Sequence, residues 1–300
     1  MFRLVPPGFI PTQDKLYLIA GVKTPEGSSI ERTDALLKKV ADIAMKTEGV
    51  AHSVAFPGLN ALQFTNTPNT GVVFFPLKPF SERHRSAAEI VGEINQKISG
   101  LQDGFTFALM PPPILGLGNG NGYQMFIEDR DNLGYGALQT AVQSMQGAIA
   151  QTPGMGFPIS SYQANVPQLD AEVDRVKAKA QGVSLTELFD TLQTYLGSTY
   201  VNDFNQFGRT WQVIAQADGS FRDSVEDIAK LRTRNDRGEM VPIGSMVKIH
   251  QTYGPDPVLR YNGYPAADLA GEGDPRLLSS AQAMGIVAGT ADKVLPNGMR

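Results

Sequence analysis

The sequence predicts an α+β chain built from ferredoxin-like split βαβ sandwiches, with an α+β subdomain inserted into one of them. Three observations carry this prediction. First, a unit of alternating apolar strand, turn, amphipathic helix and Gly turn into a second strand recurs. Its helix-to-strand corners are Thr47-Glu48-Gly49-Val50, Thr152-Pro153-Gly154-Met155 and Leu295-Pro296-Asn297-Gly298-Met299. Second, the opening third of the chain runs in the order β-α-β-β-α-β, the split βαβ arrangement. Third, the pattern changes character at Pro167 and resumes near Val258, as an insertion would make it do.

The elements follow in order. Leu16 to Val22 alternates as a strand, and Pro25-Glu26-Gly27 turns the chain. Ser29 is an N-cap for a helix whose Ile30, Leu36, Leu37, Val40, Ile43 and Ala44 recur at helical spacing. Ala51 to Phe56 is the next strand, Pro57 to Pro68 a long loop and Gly71 to Leu77 a third strand. A helix over Ser86 to Ile98 and a strand over Phe105 to Leu109 complete the unit. Pro111-Pro112-Pro113 ends it, because successive prolines cannot continue a sheet.

The pattern restarts after Gly116 to Gly122, with a strand at Tyr123 to Glu128, a helix at Tyr135 to Ala150 and a strand at Phe157 to Tyr162. Beyond Pro167, Gln168 to Asp174 alternates as a strand, and Ser184 caps a helix through Leu192 with Glu187 three residues on. Tyr200 to Phe204 and Thr210 to Ala217 read as hairpin arms. Asp218-Gly219 and Asp236-Arg237-Gly238 are turns of hairpin type. Val258 to Tyr261 and Pro265 to Leu269 are short strands before a last helix from Ser279 to Val294. The half-units at 123–162 and 257–300 are expected to complete one another, and the pattern calls for one more strand where the sequence stops at Arg300.

Composition narrows the function. The 300 residues are 42% hydrophobic and 19% charged, enough apolar content for a packed core. A net charge of −4 leaves no basic footprint for nucleic acid or for a membrane surface. The chain has no cysteine, which excludes disulfides, thiolate metal sites and Cys nucleophiles. Residues Phe2 to Ile10 are apolar, short and Pro-interrupted, and read as a linker rather than a signal peptide.

The residues do not assemble a catalytic constellation. His52, His84 and His250 lie far apart and out of metal-ligand spacing. The run Gly116-Leu117-Gly118-Asn119-Gly120-Asn121-Gly122 fails the dinucleotide register and follows prolines rather than a strand, so it reads as a hinge at Gly116, Gly118 and Gly122. Ser245-Met246-Val247-Lys248 matches S-x-x-K but lies in a strand-like stretch without companion motifs. What remains is apolar chemistry in loops. Phe56, Leu59, Leu62 and Phe64 sit among Gly and Pro, and Phe105, Phe107 and Leu109 run into Pro111 to Ile114. Apolar loops often mark binding, while the strand residues Phe105, Phe107 and Leu109 can equally fill a core.

Several of these segments resemble the multidrug efflux transporters of the resistance–nodulation–cell division family. Gly8-Phe9-Ile10-Pro11-Thr12-Gln13-Asp14 looks like the segment after the family's seventh membrane helix. Thr47-Glu48-Gly49-Val50 and Asn69-Thr70-Gly71 flank its switch-loop position. Tyr200-Val201-Asn202-Asp203-Phe204 with Gly208-Arg209 is similar to its docking motif, and Arg260-Tyr261-Asn262-Gly263-Tyr264-Pro265 to the return into the porter. The wording Phe56-Pro57-Gly58-Leu59-Asn60 is most like the MexF and OqxB group.

The resemblance spans the whole chain and implies the second large periplasmic loop. Residues 1–11 would be a linker after a membrane helix and 12–116 a PC1-like porter subdomain. Residues 117–166 with 256–300 would be a PC2-like subdomain lacking its final strand, and 167–255 a DC-like docking subdomain. It implies a homotrimer at the periplasmic side of the Gram-negative inner membrane, driven by protons through membrane helices outside this chain. Amphipathic drugs would pass to a periplasmic adaptor and an outer-membrane channel, with no cofactor and no enzymatic step.

Residue by residue, Phe56 and Phe74 match deep-pocket aromatics. Ala61 and Gln63 stand where better-known members carry switch-loop aromatics, so Leu62 and Phe64 would supply that contact. Ile19, Gly21, Phe107, Leu109 and Pro111 match outer-cleft positions, and an arginine of some members has no equivalent near Tyr162. Tyr200, Asn202, Asp203, Phe204 and Arg209 would serve docking. A heavy-metal exporter of the same architecture is the first alternative, but the ten Met are dispersed. A ferredoxin-like enzyme and a soluble adaptor are the others.

Overall fold

The structure is a computed structural model that describes residues 13–60, 65–112, 114, 122–274 and 276–300. It divides into two compact units, Met1–Val166 with Tyr253–Arg300, and Pro167–Thr252. It mixes helices with small antiparallel sheets. Among the described residues, no helix is long and apolar enough to cross a membrane.

The first unit opens with β1 (Tyr17–Lys23), α1 (Ile30–Met45), β2 (Val54–Asn60), β3 (Thr65–Pro76), α2 (Ala87–Ile98) and β4 (Phe105–Leu109). The four strands form one antiparallel sheet of order β2-β3-β1-β4. Strand alternation sends Leu18, Ala20, Val73 and Phe75 to one face, where Leu36, Leu37 and Val40 of α1 and Ile90, Ile94 and Ile98 of α2 bury them. Each buried Leu, Ile, Val or Phe side chain among them contributes about 1.5–3 kcal/mol of transfer free energy. The Ser29 hydroxyl accepts from the Arg32 N–H, and Ser86 with Glu89 makes a reciprocal capping box.

The stretch expected to be a long loop at 57–68 is mostly strand. β2 continues through Pro57 to Asn60, and β3 begins at Thr65. The Pro-Gly pair misleads because β2 is an edge strand, where a missing N–H costs no ladder bond. Gly58, with φ +81°, takes up a β-bulge between Pro57 and Leu59.

The chain continues with β5 (Tyr123–Glu128) and α3 (Tyr135–Ala150), both with the bounds expected from sequence. The strand expected at 157–162 is reduced to one isolated bridge, Ile159 with Ala270. Pro158 lacks the N–H a ladder would need, and its carbonyl instead accepts from Gln146 Nε2 at 3.0 Å.

The second unit holds β6 (Val166–Val173, its first residue in the other unit), α4 (Arg175–Ala180), α5 (Leu185–Leu192), β7 (Thr199–Gln206) and β8 (Arg209–Ala215). It goes on with α6 (Val225–Lys230), β9 (Arg232–Arg234), β10 (Met240–Pro242) and β11 (Val247–Gly254, its last two residues in the first unit). Three two-stranded ribbons result, β6 with β11, β7 with β8 and β9 with β10. Ala178, Val183, Leu188, Ile228, Ile243 and Met246 form its core. Gly238, at φ +82°, serves the β9–β10 turn. Asp218 does not turn a hairpin. Its carboxylate accepts from the Ser220 N–H and caps a short 3-10 turn at Gly219–Phe221.

The chain returns to the first unit with β12 (Arg260–Tyr261), β13 (Tyr264–Gly271) and α7 (Ser280–Val294). β13 pairs antiparallel with β5, from Ala266 opposite Glu128 to Gly271 opposite Tyr123. Ile127, Leu138, Val142, Met145 and Ile149 share one core with Leu269, Ala283 and Val287, so segments far apart in sequence fill the same layer.

Candidate functional site

The face of the four-stranded sheet turned away from its helices carries the site. Alternation places Ile19, Gly21 and Lys23 of β1 there, in register with Phe74, Val72 and Thr70 of β3 and with Leu109, Phe107 and Phe105 of β4. Phe56, on the edge strand, meets Phe74 edge-to-face with centroids 5.9 Å apart and planes at 82°. Such a pair adds about 0.5–1.5 kcal/mol to the area it buries. Gly21 is where the aromatic row closes in. The ring of Phe107 lies across it, and a Cβ there would sit 2.4 Å from Phe107 Cζ. The glycine thus gives Phe107 a seat on the sheet.

At one end of this face the β5–β13 part of the same unit comes up against it. Phe157 stands 6.3 Å from Phe105, and Phe105 stands 5.8 Å from Phe107. Between them opens a cavity of about 190 Å³ bounded by Gly21, Lys23, Phe105 and Phe107 on one side and by Gln146, Phe157, Ser160 and Ser161 on the other. That volume is below the usual drug-sized range of roughly 300–1,000 Å³, so it suits one ring of a ligand with the rest laid along the aromatic face.

Polar pins join the two sides. Asn69 Nδ2 donates to Gln163 Oε1 at 2.9 Å and to the Thr24 carbonyl at 3.2 Å. Gln163 Nε2 is buried with no partner among the described residues. Ser161 Oγ donates to the buried Asp268 carboxylate at 2.6 Å. Lys23 Nζ donates to the Ser160 carbonyl at 3.5 Å. Burial pushes the Lys23 ammonium below its ordinary pKa, while Glu26 and Asp268 pull it back up. Burial also pushes the Tyr162 hydroxyl up to about 12, and it donates to the Tyr135 carbonyl at 3.0 Å.

The structure brings together part of the expected set. Gly21 and Phe107 line the cavity; Ile19, Phe74, Phe56 and Leu109 extend the same face beyond it. Pro111 is buried, and Leu59 is half-buried past the bulge. Leu62, Phe64, Gly116 and Gly118 lie outside the described residues. Gly122, with φ +130°, is pressed against β13, where a Cβ would lie 2.1 Å from the Gly271 carbonyl oxygen. Sequence reasoning missed Lys23, Gln146, Phe157 and Ser160. The i, i+2 spacing from Gly21 announces Lys23. Phe157 and Ser160 carry no local signal, because they arrive from a segment more than 130 residues away in sequence from β1.

In the second unit, Tyr200, Asn202, Asp203 and Phe204 on β7 and Arg209 on β8 are all exposed along one hairpin. Phe207 (φ +54°) and Gly208 (φ +70°) close it as a two-residue turn with both φ positive. Phe204 pairs with Trp211, and Phe207 is 87% exposed at the tip. A hydrogen bond with Asp203 raises the Tyr200 hydroxyl pKa. The apolar residues of this ribbon are exposed rather than packed into the core of the second unit.

The sequence matches the AcrB/AcrD/AcrF family over residues 1–300. It is 34% identical over 304 residues to the multidrug export protein AcrF of Escherichia coli, covering 100% of this chain and 29% of that protein. It is 34% identical over 302 residues to the toluene efflux pump membrane transporter TtgB of Pseudomonas putida, covering 100% of this chain and 28% of the relative. The multidrug resistance protein MdtF of Escherichia coli is 30% identical over 278 residues, which is 91% of this chain and 27% of MdtF. The chain thus spans less than a third of the length of these relatives. With the match running from end to end, the chain belongs to the AcrB/AcrD/AcrF family of resistance–nodulation–cell division transporters.

Proposed function

We propose that this chain is the substrate-binding and docking portion of a proton-driven multidrug efflux transporter and performs no enzymatic step itself. The observation that carries the reading is the aromatic sheet face of Phe56, Phe74, Phe107 and Phe105 running into the cavity beside Phe157. A polyspecific site needs large apolar area and few fixed polar demands, and this face has both. The relatives named for multidrug export and toluene efflux support the same reading.

In this proposal residues 12–116 form a PC1-like porter subdomain, 117–166 with 256–300 a PC2-like one, and 167–255 a DC-like docking subdomain. Drugs enter between the first two, on the periplasmic side of the inner membrane. The transporter works as a homotrimer, and the β7–β8 hairpin, with Tyr200, Asn202, Asp203, Phe204 and Arg209, serves contact toward the adaptor and the outer-membrane channel. Proton relay belongs to membrane helices outside these residues.

The test is substitution in the full-length transporter. Phe56→Ala and Phe74→Ala each remove half of an edge-to-face pair, and each is expected to lower resistance to aromatic drugs by about three- to tenfold. Resistance to small aliphatic solvents should change far less. Resistance unchanged for every compound, at normal membrane levels of both variants, would overturn the assignment.

A further inference from the structure

We propose that Lys23 makes this cavity selective for amphipathic molecules that carry a carboxylate beside an aromatic body. The inference rests on the substrate-site reading above and adds a charge preference to it.

Lys23 is placed by the same alternation that places Ile19 and Gly21, one step further along β1. Its ammonium reaches the cavity wall between Phe105, opposite it on β4, and the Ser160 carbonyl of the facing segment. An ammonium has three donors. Among the described residues, Nζ makes its hydrogen bond to the Ser160 carbonyl at a long 3.5 Å. Two charged groups face Lys23. Glu26 is exposed on the turn after β1, and Asp268 is buried on β13. Asp268 accepts from the Ser161 hydroxyl at 2.6 Å and is not among the residues that line the cavity, whereas Lys23 is, so the charged group on the lining is the cation.

The surroundings raise the value of an incoming anion. Burial already works against the charged form of Lys23, and a carboxylate that replaces lost water restores its solvation. Charge-assisted hydrogen bonds are about twice as strong as neutral ones. Meanwhile Phe105, Phe107 and Phe157 offer ring faces and edges around the same space. A flat aromatic body against the phenylalanines with its carboxylate on Nζ satisfies both halves of the wall. A neutral aromatic of the same shape satisfies one.

The experiment uses the full-length transporter and two probes, an amphipathic aromatic carboxylic acid and its primary amide. Lys23→Met is expected to lower resistance to the acid about tenfold, as loss of a hydrogen bond to a charged group does. It should leave resistance to the amide within about twofold. Lys23→Arg, which keeps the charge, should restore most of the resistance to the acid. Equal shifts for acid and amide in Lys23→Met, or no shift for either, would overturn the proposal. Phe107→Ala separates the cavity from its charge preference. A loss for both probes keeps the cavity as the site and isolates any failure to Lys23. No loss for either, at normal membrane levels, removes the cavity itself and the charge preference with it.

Discussion

Asp14→Ala is expected to destabilise the first unit by about 3–5 kcal/mol, because it leaves a buried guanidinium without its counter-charge. The Arg83 side chain is 1% exposed. Its Nη1 donates to Asp14 Oδ2 at 2.8 Å and to the Arg85 carbonyl at 2.8 Å, and its Nε donates to the Lys78 carbonyl at 3.3 Å. The guanidinium also lies 5.0 Å from the centroid of Phe80. Asp14 has further duties. It accepts from the Leu16 N–H at 3.1 Å and from the Ala87 N–H at 3.0 Å, in the first turn of α2. Removing the carboxylate therefore strips the Ala87 N–H of its acceptor as well as orphaning a charge.

The effect has a definite pH signature. Burial raises the Asp14 pKa, but the bonds from Arg83, Leu16 and Ala87 outweigh it and hold the carboxyl below its ordinary value. A depressed folded pKa means that the stabilisation is complete above the unfolded pKa and is lost as pH falls through the folded one. The gap between wild type and Asp14→Ala should stay constant at neutral pH and narrow below about pH 4. Urea midpoints followed by circular dichroism at several pH values measure both. A gap that is small at pH 7, or that widens in acid, would contradict the pairing.

Gly122→Ala is the second large effect, at about 2–4 kcal/mol, from a positive φ combined with a backbone clash. The added Cβ would lie 2.1 Å from the Gly271 carbonyl oxygen and 2.9 Å from Glu272 Cα. Neither atom can give way without disturbing the Tyr123–Gly271 end of the β5–β13 register. A glycine serving only as a loose joint would lose no more than about 1 kcal/mol on the same change. Amide hydrogen exchange at Tyr123 and Gly271 adds a local reading, since faster exchange confined to that end locates the damage.

How much of this was legible in the sequence varies by physical cause. The recurring corners were visible because Gly49, Gly154 and Gly298 take φ of +100°, +82° and +91°, which glycine adopts without strain. The helices were visible through caps such as Ser29, Ser86 and Ser279, whose bonds are local. Pro57-Gly58 read as a loop because edge position is a property of the sheet, and no residue announces it. Phe157 to Tyr162 read as a strand because it follows the helix and the Gly154 corner as the recurring unit requires, although Pro158 withholds a ladder bond.

The candidate site divides the same way. Ile19, Gly21, Phe107 and Leu109 share a face through two-residue spacing within a strand. The pairing that sets Phe107 over Gly21, and the arrival of Phe157 and Ser160 opposite Lys23, come from chain segments that only tertiary packing brings together. Lys23 is hidden for a further reason, since a charged residue at the end of an apolar strand adds nothing to the apolar pattern.

Photo-crosslinking tests the proposed binding of amphipathic substrates where the aromatic face of the first sheet meets the Phe157 segment. A benzophenone-bearing amphipathic substrate is irradiated with the full-length transporter, and the adducts are mapped by mass spectrometry. Adducts are expected on the peptides holding Phe105–Leu109 and Phe157–Ser161, suppressed by excess unlabelled substrate. Competable labelling that falls elsewhere in the protein and spares both peptides would contradict it.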